Sequence, residues 1–139
     1  MFEAVAFAGG GNRCYWQGGF WAAAAPRLGL APKLVTGVSA GAWAACYSLL
    51  GEAERVVDLV VAGCGQGRPN VDWRGYRAGG PLFPVAGMYR ELLDTVIDEG
   101  ALARLKAGPT LLVALARAPR RLPLRLAVPL GIAAYQIEQ

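Results

Sequence analysis

The chain has 139 residues, 55% of them hydrophobic, with a formal net charge of +4 and no histidine. That length holds one domain with a modest core, and an apolar share above the ordinary value of roughly 45–50% fits buried parallel strands and helices. The missing histidine excludes a Ser-His-Asp triad within these residues, and three cysteines, an odd number, argue against a disulfide framework.

Residues 4–8 read as a short strand and run directly into Gly9-Gly10-Gly11-Asn12-Arg13. Three glycines at the C-terminal end of a strand let bare backbone approach a ligand and aim amide N–H groups at an anion. An oxyanion hole requires the same arrangement. A dinucleotide fingerprint would need glycine at position 14, which is Cys14, and a phosphate loop would need a following Gly-Lys-Ser/Thr. Residues 14–25 then read as a largely apolar helix, ended by Pro26 and Gly29.

Residues 34–38 read as a second strand, leading into Gly37-Val38-Ser39-Ala40-Gly41. Gly-x-Ser-x-Gly is the pattern of a nucleophile elbow, a sharp strand-to-helix turn that lifts a serine above a sheet. Chance alone gives this pattern in about one such sequence in thirty, so its context matters. Residues 40–50 form an apolar run with Gly51 as its stop signal, as a buried helix would. A serine at that helix start meets the positive end of the helix dipole. The competing use of Ser39 is as an ordinary helix N-cap.

Residues 4–38 thus form one βαβ unit with parallel strands and a right-handed crossover. Parallel neighbours bring the glycine loop and the Ser39 turn to the same sheet edge, where ligands of open α/β sheets bind. A glycine-rich anion cradle beside an elbow serine is an acyl-transfer constellation.

Residues 52–62 read as an amphipathic helix. Residues 63–87, rich in Gly, Pro and Arg, read as a long loop, either a lid over an acyl groove or a solvated surface segment. Residues 88–106 read as one helix and a shorter one, stopped by Gly108-Pro109. Residues 110–116 read as a third strand, continuously apolar like a central parallel strand. The last thirty residues carry Arg117, Arg120, Arg121 and Arg125 against Glu138 alone, with an apolar stretch over 126–137. Basic-then-apolar sequence suits either contact with anionic headgroups or a connection into further fold.

The two motifs, Gly9-Gly10-Gly11-Asn12-Arg13 and Gly37-Val38-Ser39-Ala40-Gly41, resemble those of the patatin-like phospholipases over residues 4–50. The resemblance implies an α/β fold with a parallel-sheet core flanked by helices. It implies a serine lipid acyl hydrolase acting on phospholipids or related lipids without a cofactor, and separately the spacing and number of candidate ligands give no metal site. It makes Ser39 the nucleophile and the amides of Gly9, Gly10 and Gly11 the oxyanion donors, with Gly37 and Gly41 supporting the turn. Arg13 either holds the loop or meets a lipid phosphate. Cys14 departs from the family, which usually has glycine after the Arg/Lys.

The family pairs its serine with an aspartate in Asp-Gly-Gly or Asp-Gly-Ala, and that tripeptide is absent here. Asp58 and Asp94 fall within helices, Asp72 lies beside Trp73 in the long loop, and Asp98 is near a helix end, solvated. The expectation is an N-terminal portion of a patatin-like domain that ends before its base and is weakly active or inactive alone. Such a portion exposes an apolar surface and a strand edge that favour self-association. The alternative is a non-catalytic module that keeps the elbow and binds acyl chains or a partner. No nucleic-acid-binding motif accompanies the arginines. Residues 1–8 carry no basic leader, which points to a cytoplasmic protein with contact at a membrane surface left open.

Overall fold

A computed structural model describes residues 2–65, 67, 69, 71–115, 123, 126, 130 and 133. Three parallel strands, β1 (Ala4–Phe7), β2 (Leu34–Val38) and β3 (Thr110–Ala114), form one sheet in the order β1-β2-β3. Val5 and Phe7 pair with Val35 and Gly37, which in turn pair with Leu111 and Val113. The fold is α/β. Beta strand 3 is the expected third strand, but it lies at the edge of the described sheet rather than at its centre. Its Leu112 and Val113 are exposed. Residues 117–125 and 126–137 fall almost wholly outside the described residues.

A 3-10 turn over Gly11–Cys14 leads into α1 (Tyr15–Leu28). The helix passes through Pro26 instead of ending there. Proline removes one i→i−4 bond, and in the last turn the end is instead made by Gly29. Gly29 takes the left-handed conformation (φ 59°), and both its N–H and that of Leu30 reach the Ala25 carbonyl.

Helix α2 (Ala40–Leu50) is the centre of the core. Ala44, Ala45 and Tyr47 are fully buried, together with Val35 beneath them and Val56 beside them. This matches the apolar character of the helix on nearly every face. Gly18 of α1 is where the two helices touch: a Cβ there would lie 2.3 Å from the Tyr47 ring. Helix α3 (Ala53–Cys64) and α5 (Pro84–Val96) are amphipathic, and they contribute Val56, Val60, Leu92 and Val96 to the same core.

The described residues of the 63–87 stretch are more ordered than a long loop. They include α4 (Trp73–Arg77), and α5 starts at Pro84, four residues before the expected start. Asp72 is the N-cap of α4: its carboxylate accepts from the Gly75 N–H at 2.8 Å. Asp98 does the same for α6 (Glu99–Ala107), accepting from the Ala101 N–H at 2.6 Å. It is therefore a capping group rather than a merely solvated one.

Candidate active site

The two motifs meet at the C-terminal ends of β1 and β2. A Cβ on Gly9 would sit 3.2 Å from the Val38 carbonyl oxygen and 3.6 Å from the Ser39 Cβ. The glycine loop therefore lies directly against the serine turn. The side-by-side arrangement expected of parallel neighbours is present.

Ser39 has φ 53° and ψ −130°, the only positive φ among the described non-glycine residues. Such a backbone costs on the order of 1–3 kcal/mol and persists only where its surroundings enforce it. The enforcement is visible in the two flanking glycines. A Cβ on Gly37 would lie 2.6 Å from the Ala42 Cα, and one on Gly41 would lie 2.4 Å from the Phe7 carbonyl oxygen. Strand, helix and the neighbouring strand end thus touch backbone to backbone. Ser39 is the N-cap residue of α2, but its side chain makes no capping bond. Ser39 is exposed, and its hydroxyl has no hydrogen-bond partner among the described residues. The N-cap alternative accounts for its position but not for its conformation.

The loop on the other side is held by side chains from its own sequence. Gln17, buried in α1, donates from Nε2 to the Ala8 carbonyl at 2.8 Å and accepts from the Ala8 N–H at 2.9 Å. The Cys14 thiol donates to the same carbonyl at 3.2 Å. Arg13 turns back on the loop, its backbone N–H and its Nε donating to the Gly10 carbonyl at 3.3 and 3.5 Å. Gly11 takes a left-handed φ of 58°, a conformation that favours glycine. Gln17 was not singled out from sequence, although it is the one amide in an otherwise apolar stretch of helix.

Beside the loop and the serine turn lies an apolar hollow of about 270 Å³. Gly11, Asn12, Tyr15 and Ala40 line one part of it, and Trp43, Tyr89 and Leu93 the rest. Helix α5 closes this side, and the Tyr89 hydroxyl donates to the Asn12 amide oxygen of the glycine loop. Burial, reinforced by neighbouring Tyr89, pushes the Tyr15 phenol well above the usual tyrosine range. The phenol stays neutral, and no charged side chain lines the hollow. Tyr15, Trp43, Tyr89 and Leu93 were not foreseen; Trp43 carried a signal, since it stands four residues after Ser39 and one helical turn along.

The four aspartates do not reach the serine turn by hydrogen bonding. Asp72 and Asp98 are occupied as helix caps, and Asp58 and Asp94 are exposed on α3 and α5. Among the described residues no cluster of three or more His, Cys, Asp or Glu is placed to hold a metal ion, and no helix is long and apolar enough to cross a membrane.

A family model described as Patatin-like phospholipase matches residues 5–131. The chain belongs to the patatin-like phospholipases. The match runs well past residues 4–50, where the recognisable motifs lie. Membership places this patatin-like chain in a family of lipid acyl hydrolases, whose substrates are lipids. No curated protein and no solved structure matches it. The family's usual glycine after the Arg/Lys is Cys14 here, and the thiol fills that place by bonding to the Ala8 carbonyl.

Proposed function

We propose that this chain carries the nucleophile and oxyanion half of a serine lipid acyl hydrolase. The observation that carries the reading is the forced, exposed backbone of Ser39, packed against the Gly9-Gly10-Gly11 loop at the start of α2. In this reading the Ser39 Oγ attacks the carbonyl carbon of an acyl ester. The negative charge that develops on the carbonyl oxygen is met by loop amides and by the N-terminal end of α2. Collapse of the tetrahedral intermediate breaks the bond to the alcohol, which leaves with a proton, and water then releases the acyl group from Ser39.

The proton from Ser39 must go to a base, and in this family the base is an aspartate. Asp58, Asp72, Asp94 and Asp98 are all engaged or placed elsewhere, so the dyad partner is not assigned within these residues. This observation favours one other reading, a module that binds acyl chains without turnover. The two are separated by a fluorophosphonate probe together with a nitrophenyl ester assay. The hydrolase reading expects covalent labelling that Ser39→Ala abolishes, with weak ester turnover from the chain alone, because an oxyanion hole without its base leaves only residual catalysis. Labelling that persists in Ser39→Ala, or none above a denatured control, would refute it.

A further inference from the structure

The hollow beside Ser39 has a neighbour. A second apolar hollow, of about 600 Å³, lies between α2, α5, α6 and the start of β3. The two have only Trp43 and Leu93 in common among their lining residues. Trp43 projects from α2 one turn after Ser39, half-buried, and its indole stacks edge-on against the Tyr47 ring at 5.3 Å. Leu93 meets it from α5. The first hollow alone falls just below the size of ordinary small-molecule sites, roughly 300–1,000 Å³, and the second falls inside that range.

We propose that Trp43 and Leu93 form a partition that limits the length of the acyl chain this site accepts. The inference rests on the acyl-ester reading of Ser39 and adds a substrate class to it: esters of short-chain acids. A chain attached at Ser39 enters the first hollow between Tyr15 and Tyr89 and ends at the indole. The larger hollow beyond is apolar on its Leu102, Leu105 and Leu111 walls. It is closed to the chain only by the two shared side chains. Tyr47 backs the indole and is itself fully buried, so the partition cannot swing into the core.

The test is binding of straight-chain saturated fatty acids from butanoate to tetradecanoate, each below its micelle concentration, followed by calorimetry. Each methylene that finds apolar cover should tighten binding about fourfold. For the wild type the gain should stop among the short acids. In Trp43→Ala and in Leu93→Ala the gain should continue over several more methylenes, while Trp43→Phe keeps the wild-type break. Leu93 is partly exposed, so its variant keeps the test alive if Trp43→Ala fails to fold. A break that stays in place in both alanine variants, or a wild-type gain that runs on to tetradecanoate, or no binding across the series, would overturn the proposal. Failure of Ser39 to take the fluorophosphonate, with the break moving as expected, would sink hydrolysis and leave the partition standing.

Discussion

Replacing Gly41 by alanine tests the backbone contact that forces the serine turn. A Cβ at this position would lie 2.4 Å from the Phe7 carbonyl oxygen, 2.5 Å from the Ala8 carbonyl oxygen and 2.7 Å from the Ala8 carbonyl carbon, where real Cβ contacts below 3.0 Å essentially never occur. All three obstacles are backbone, so no rotamer change relieves them. Either α2 lifts or the end of β1 moves, and overpacking of this kind costs about 1–3 kcal/mol. Alanine's better helix propensity returns about 1 kcal/mol. With three close backbone contacts the upper part of the range applies, leaving a net loss near 2 kcal/mol. Gly19 in α1 is the control, because a Cβ there meets nothing within 4 Å. Gly19→Ala should therefore stabilise by about 0.5–1 kcal/mol. Urea melts of the two variants should shift in opposite directions. The displacement also separates the Ala8 end of the glycine loop from Ser39, and a shift of about 1 Å can cost a hundredfold in reactivity, so fluorophosphonate labelling should fall much further in Gly41→Ala than stability does. A Gly41→Ala chain as stable as wild type and labelled at the same rate would refute the close-contact account.

Ser39→Gly should raise the thermal midpoint by releasing a positive φ that only glycine adopts freely, worth about 1 kcal/mol, whereas Ser39→Ala keeps the strain and leaves stability near wild type. Gln17→Met should cost about 2 kcal/mol in a denaturant melt, since both backbone groups of Ala8 lose their amide partner. Tyr47 supplies the pH test: burial pushes its phenol up to about 12. A folded-state value above the ordinary tyrosine value of about 10 means that the folded chain holds this proton more tightly. Its contribution to stability is complete below pH 10 and is lost as pH climbs toward 12. Tyr47→Phe should flatten that alkaline decline, and it also removes a buried hydroxyl that has no hydrogen-bond partner among the described residues.

The βαβ unit and the serine turn were legible because they rest on local signals. Gly9, Gly37 and Gly41 mark places where backbone meets backbone, Gly11 takes a left-handed φ, and Gly51 and Gly29 mark helix ends. What escaped depended on longer reach or on subtler caps. Pro26 looked like a stop but sits in a last turn that Gly29 terminates. Asp72, Pro84 and Asp98 each start a helix, yet the glycine and arginine content around the first two masked them. The clamp on Ala8 joins Gln17 to a position nine residues earlier, and the hollow beside Ser39 brings Tyr89 and Leu93 from α5 to residues in α1 and α2. No periodicity records such meetings. The third strand was correctly read as apolar. Its place at the edge of the described sheet follows from chain order, and apolar content cannot report that.

The contacts at Gly37 and Gly41 divide labour within the site. Close backbone contacts at Gly37 and Gly41 fix where Ser39 stands between the strand ends and the start of α2. The walls of the hollow beside it are side chains from separate helices, Tyr15, Trp43, Tyr89 and Leu93 among them. Substitution at those walls reshapes what the site can hold without relocating the hydroxyl. On the proposed reading, acyl selectivity can therefore drift through evolution, or be redrawn by design, while Ser39 stays in place.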